Sequence, residues 1–198
     1  MYSAEADTYY ASSKAGYVYK FSMDSAGKLS SLKTYKASGA VTATPVIYNG
    51  RLYAGCQNGS AGKFIVLDVK TMKEVYTSDM QGYPQASMLL STGYEEATGK
   101  VYIYSTYNAK PGGITVFEDG KGQTSANKTE LFTPADDMQQ YCISTISASE
   151  DGTLYYKNDS GNIFALTEEN TEIQSIIQKI IAMIKNIIAK IMALLSKK

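Results

Sequence analysis

Residues 44–76 read TPVIYNGRLYAGCQNGSAGKFIVLDVKTMKEVY and hold four short apolar runs separated by turn residues. Thr44-Pro45-Val46-Ile47-Tyr48 ends at Asn49-Gly50, a pair that tolerates the positive φ of a tight hairpin. Gly50-Arg51-Leu52-Tyr53 resumes the chain, Gly62-Lys63-Phe64-Ile65-Val66-Leu67 follows a second turn, and Glu74-Val75-Tyr76-Thr77 closes the set. The run from Phe64 to Leu67 is continuous, not alternating, which suits a strand covered on both faces. Four antiparallel strands in so short a span make one supersecondary unit, and such a unit cannot bury both of its faces alone.

The unit recurs. Gly50-Arg51-Leu52-Tyr53 is matched by Gly99-Lys100-Val101-Tyr102, by Gly152-Thr153-Leu154-Tyr155 and, more weakly, by Ala6-Asp7-Thr8-Tyr9. Each is followed after a turn by a glycine and a second apolar run, and these glycines, at 16, 62, 113 and 161, stand 46, 51 and 48 residues apart. A preceding strand is expected at 44–48, 86–90 and 142–146, and a following one near 32–35, 74–77 and 130–132. Short strands in fours, joined by Gly, Asn and Asp turns at such a period, are the pattern of a β-propeller blade. The first unit lacks its first strand and the last lacks its fourth. The expected fold is therefore all-β, a partial propeller of about 3.5 to 4 four-stranded blades over residues 1–169.

Residues 44–76 resemble the pyrroloquinoline-quinone-type propeller repeat, in which a Gly-x-Leu-x-Ala-Leu-Asp strand is followed by a Thr-Gly turn and an aromatic close. Asp68 and Thr71 match its turn, and Tyr76 stands where that repeat carries Trp. The stretches YNAKPGGITVFED (107–119) and QQYCISTISASEDGTLYYKNDSGNIFAL (139–166) are similar to propeller segments of large surface proteins of Gram-positive gut bacteria. The resemblance implies a secreted or cell-surface location, with further blades or domains upstream in a longer chain. Some members of this wider family are quinone-dependent dehydrogenases that stack the cofactor between a Trp floor and a vicinal disulfide, beside calcium. This chain has no Trp, and its two cysteines, Cys56 and Cys142, lie far apart. The resemblance thus implies a binding scaffold with no cofactor.

Composition narrows the chemistry further. No histidine is present, which removes the commonest general base and metal ligand, together with any Ser–His or Cys–His nucleophile. The 19 basic and 19 acidic residues cancel, so no overall field favours nucleic acid. Glu95-Glu96, Asp136-Asp137, Glu150-Asp151 and Glu168-Glu169 fall in expected turns, where solvated acids are ordinary, and no metal site is expected. Most of the 17 tyrosines fall within strands and are expected to pack blades; Tyr94, Tyr107 and Tyr141, in or near loops, are candidates for contact with a glycan or a partner protein.

Beyond the repeats the period changes. Ile177, Ile180, Ile184, Ile187 and Ile191 recur at helical steps, and Lys179, Lys185 and Lys190 occupy the other side, giving a basic amphipathic helix over residues 170–198. Its apolar face has three competing destinations: the propeller edge or further domains, a bundle with other copies, or an anionic membrane surface. A non-enzymatic binding or scaffold module is the expected function. The alternatives are a quinone-dependent or glycan-acting enzyme fragment, and membrane-surface association through the tail.

Overall fold

The computed structural model describes residues 1–3 and 7–167, together with Met183 and Ile184. Among them, four antiparallel sheets follow one another in chain order, each a simple meander. The first holds β1 (Tyr2–Ser3), β2 (Thr8–Ser12), β3 (Tyr17–Met23) and β4 (Leu29–Lys36). The second holds β5 (Val46–Tyr48), β6 (Arg51–Asn58), β7 (Ala61–Asp68) and β8 (Glu74–Met80). The third holds β9 (Leu89–Ser91), β10 (Lys100–Thr106), β11 (Ile114–Gly120) and β12 (Asn127–Phe132), and the fourth holds β13 (Ser147–Ala148), β14 (Leu154–Lys157) and β15 (Ile163–Leu166). The fold is a partial β-propeller of four blades.

Period-two alternation places the core between blades. On β6 and β7, Leu52, Ala54, Cys56, Ile65 and Leu67 point toward the first blade and pack with Tyr10 and Val18. Their sequence neighbours Tyr53, Phe64 and Val66 point the other way and pack with Val101, Ile103 and Phe117 of the third blade. Phe64 and Phe117 stack face to face, with centroids 4.0 Å apart. A third cluster, Ile114, Cys142, Ile146, Tyr156 and Phe164, joins the third blade to the fourth. Continuous apolar runs thus arise because both faces of an inner blade are interior. Among the described residues no cluster joins the fourth blade to the first, so the blades form an open arc.

The glycine that marks each repeat has a steric cause. A Cβ on Gly62 would lie 2.3 Å from the Gly82 carbonyl oxygen, one on Gly16 would lie 2.7 Å from that of Gly39, and one on Gly113 would lie 2.0 Å from that of Phe132. In each case the backbone at or beyond the end of the fourth strand crosses the start of the third strand too closely for any side chain. Gly161 meets nothing within 4 Å, in the one sheet whose described residues include no fourth strand. The Asn49-Gly50 hairpin is also as expected, with φ of 47° and 78°.

Three expectations need correction. The first blade does have a first strand: Tyr2 pairs with Tyr9 and Ser3 with Thr8, while Met1 and Tyr10 exchange backbone bonds of 2.7 and 2.8 Å. Two residues are too few to show a period. The strand expected at 142–146 forms only at Ser147–Ala148, because side chains take over the ladder upstream. The Ser144 hydroxyl donates to the Lys157 carbonyl at 2.7 Å, and the Cys142 thiol donates to the same oxygen at 3.1 Å. Glu95-Glu96 lies not in a loop but in a single helical turn, α1 (Glu95–Thr98), closed by Gly99 at φ 70°.

The helix expected over 170–198, including Ile177, Ile180, Ile187, Ile191, Lys179, Lys185 and Lys190, lies outside the described residues. Of that segment only Met183 and Ile184 are described, both helical and exposed. No helix among the described residues is long and apolar enough to cross a membrane.

The first interface carries one polar imperfection. Tyr10 is 1% exposed and its hydroxyl makes no hydrogen bond to the protein. A buried hydroxyl without a partner costs free energy that phenylalanine avoids. Tyr10→Phe is therefore expected to leave urea-unfolding stability unchanged or raise it by up to about 1 kcal/mol. A loss of that size would mean that the hydroxyl is engaged.

Candidate functional site

The strongest polar constellation lies between the second and third blades. Asp119, on β11, is 1% exposed, yet it receives three donors from the neighbouring sheet. Arg51 Nη1 binds its Oδ1 at 2.7 Å, Tyr76 Oη donates to the same oxygen at 2.8 Å, and Tyr53 Oη donates to Oδ2 at 2.7 Å. The second guanidinium nitrogen, Nη2, donates to the Gln123 carbonyl at 2.8 Å, and the Arg51 guanidinium lies 5.9 Å from the Tyr76 ring centroid. Burial first, and then the hydrogen bond to Asp119, push the Tyr53 and Tyr76 hydroxyls well above the usual tyrosine range. Every group here is committed to another, so the constellation is an inter-blade clamp at the floor of a cleft of about 320 Å³. On the cleft rim, the Tyr48 hydroxyl donates to Glu95.

Sequence reasoning missed this clamp. Arg51 is the sole arginine of the chain, which was the available signal, whereas Asp119 sits in Glu118-Asp119-Gly120-Lys121-Gly122 and reads as a turn residue.

The antiparallel order puts the turns between first and second strands, and between third and fourth, at one end of every blade. The remaining turns and the blade-to-blade linkers lie at the other end. Tyr94, in the β9–β10 connection, therefore lies at the first end. It is 50% exposed, meets Tyr102 edge-on at 5.7 Å, and flanks a groove of about 590 Å³ with Tyr104, Leu131, Leu154 and Leu166. Tyr141 lies in the β12–β13 linker at the other end, 49% exposed beside Ile143 at 56%. Between them Cys142 is fully buried. Ile143 borders a cleft of about 450 Å³ with Lys14, Thr42, Gln57, Tyr83 and Gln85, and Thr42 and Tyr83 share a 2.8 Å hydroxyl contact.

Tyr107, expected in or near a loop as a contact residue, is buried instead. It is 0% exposed, belongs to the cluster between the second and third blades, and donates its hydroxyl to Gln81 Oε1 at 3.0 Å. It follows the end of β10 directly, and the apolar cluster claims its ring before solvent can. The structure thus separates Tyr94 from Tyr141 and withdraws Tyr107 from the surface. Among the described residues no three or more Cys, Asp or Glu side chains gather in a metal-binding group.

Comparison with known proteins agrees on the fold. No protein-family model matches the chain. No curated protein sequence matches it either. Solved structures do. A chain in the crystal structure of the mitotic checkpoint complex superposes with a TM-score of 0.57 at 14% identity, over 84% of this chain and 48% of that one. The WD40 β-propeller domain of Doa1 gives 0.53 at 12% identity, over 86% and 50%. A europium-containing methanol dehydrogenase gives 0.51 at 13% identity, over 80% and 38%. The chain spans about half the length, or less, of the solved chains it matches, and the likeness is one of fold alone.

Proposed function

We propose that the chain is a non-enzymatic binding or scaffold module of a secreted or cell-surface protein, built on the pyrroloquinoline-quinone type of repeat, and that it holds a glycan or a protein at the linker end of the arc. The observation that carries this reading is the pair Tyr141 and Ile143, two half-exposed side chains flanking the buried Cys142, of which Ile143 lines a cleft bearing the amides of Gln57 and Gln85. An aromatic ring and an aliphatic group next to amide donors and acceptors suit the faces and hydroxyls of a sugar, and equally a peptide surface.

The repeat type is supported by its turn. Asp68 Oδ1 accepts from the Thr71 amide at 2.7 Å and from the Thr71 hydroxyl at 2.6 Å, which gives the Asp and Thr of the motif a physical task. Of the similar structures, one belongs to a checkpoint assembly, one is a WD40 domain and one is a dehydrogenase. The choice among them rests on this chain's own residues.

The test is a glycan array and an immobilised peptide library probed with the wild-type chain and with Tyr141→Ala/Ile143→Ala. At least one ligand is expected whose affinity falls about tenfold or more in the variant. Ligands that bind both proteins equally move the site elsewhere. A rise in melting temperature on titration with pyrroloquinoline quinone and calcium would reverse the non-enzymatic assignment.

A further inference from the structure

The three blade-to-blade linkers, β4–β5, β8–β9 and β12–β13, enter their blades alike. The Gln57 amide donates to the Ala40 carbonyl at 2.9 Å, the Asn108 amide to the Tyr83 carbonyl at 2.8 Å, and the Asp159 amide to the Tyr141 carbonyl at 3.0 Å. Ala40, Tyr83 and Tyr141 therefore hold equivalent places. The residues that follow them, Val41, Pro84 and Cys142, are buried, and the next ones, Thr42, Gln85 and Ile143, turn back toward the surface. All three of these last residues, one from each linker, line the cleft of about 450 Å³. That cleft thus lies where the linkers converge, and not at either end of the arc.

The charge of the cleft is one-sided. Lys14, in the β2–β3 turn, lines it, is exposed, and forms no ion pair among the described residues. The Lys36 ammonium donates to the carbonyl of Ala15, the next residue of the same turn, so this wall carries two cations. The remaining polar lining is neutral: the amides of Gln57 and Gln85, and the paired hydroxyls of Thr42 and Tyr83. No Asp or Glu lines the cleft; Asp159 takes the place of Gln57 only in the fourth blade. We infer that the cleft takes an acidic saccharide, whose carboxylate meets the Lys14 ammonium and whose hydroxyls meet the two amides and the Thr42–Tyr83 pair. Amides and hydroxyls both donate and accept, which matches a ligand dense in hydroxyl groups. Apart from the Tyr83 ring, the apolar lining is Ala40 and Ile143, too little to seat the bulky anchors of a protein partner. The volume lies within the range of about 300–1,000 Å³ usual for small-ligand sites. The inference rests on the linker-end reading above and adds the class and charge of the ligand.

An array of uronate- and sialate-bearing oligosaccharides, each beside its carboxyl-reduced counterpart and with acidic peptides on the same surface, tests this inference on the full 198-residue chain. At least one acidic saccharide is expected to bind about tenfold or more tightly than its reduced counterpart. Lys14→Gln is expected to abolish that preference and Lys14→Arg to keep most of it, both with an unchanged melting temperature, because Lys14 is exposed. Added salt should narrow the preference in the wild-type chain. A preference that survives Lys14→Gln overturns the inference by placing the carboxylate elsewhere. Saccharides bound equally with and without the carboxylate also overturn it, while leaving a neutral glycan at the linker end. Acidic peptides bound in place of saccharides overturn it in favour of a protein partner. Binding to no member of the array overturns it together with the glycan half of the reading on which it rests.

Discussion

Asp119→Ala is expected to lower the unfolding free energy by about 3–5 kcal/mol, a fall of roughly 10 °C in melting temperature for a chain of this length. The carboxylate is the shared acceptor for Arg51, Tyr53 and Tyr76, which come from β6 and β8 of the adjacent blade. Removing it leaves a guanidinium that is largely buried, with 15% of its side-chain surface exposed, facing two hydroxyls that have also lost their partner. The cost arises chiefly from those orphaned donors and not from the net worth of the ion pair, because desolvating both charges offsets most of their attraction. A second variant separates the two accounts. Arg51→Met, Tyr53→Phe and Tyr76→Phe added to Asp119→Leu remove donors and acceptor together, and should recover most of the loss. Urea unfolding of both proteins provides the comparison, and a quadruple variant no more stable than Asp119→Ala would show that the interface depends on the charges themselves.

That clamp also marks the boundary of what the sequence makes legible. The propeller is readable because its signals are local and repeated. The third-strand glycine recurs wherever backbone crosses backbone, the Asn49-Gly50 turn needs two positive φ values in succession, and the run Phe64 to Leu67 is apolar on both faces because both faces are buried. Arg51 and Asp119 lie 68 residues apart in sequence, and no period connects them. Tyr107 misleads for a related reason: its position just beyond a strand suggests exposure, and only the third dimension supplies the cluster that buries it. Cys142 and Ser144 read as strand residues by composition, yet their side chains bond the Lys157 backbone and displace the ladder. Exposure at Tyr94 and Tyr141 was legible, whereas their placement at opposite ends of the blades followed only from strand order.

The largest response to solution conditions should come from alkali. With no histidine in the chain, no imidazole titrates between about pH 5 and 8. Tyrosine takes over above that range. Burial pushes the hydroxyls of Tyr53, Tyr76 and Tyr156 well above their ordinary range and that of Tyr107 up to about 12, and the hydrogen bonds to Asp119 add to the rise at the first two. In the unfolded chain each of these tyrosines releases its proton near pH 10. A raised folded-state value means that the fold holds protons the unfolded state has already lost. The stability tied to those protons is complete below about pH 10 and drains away as pH climbs toward the folded values. With four such groups losing their protons only on unfolding, stability falls steeply as pH climbs above about 10. Tyrosinate absorbance and far-ultraviolet circular dichroism followed together should therefore show exposed tyrosines ionising first. A cooperative loss of β signal should then coincide with ionisation of the buried set between about pH 11 and 12. Smooth ionisation of every tyrosine near pH 10 with the β signal intact would mean that the blade interfaces admit water to these hydroxyls, and with it that the clamp at Asp119 is open in solution.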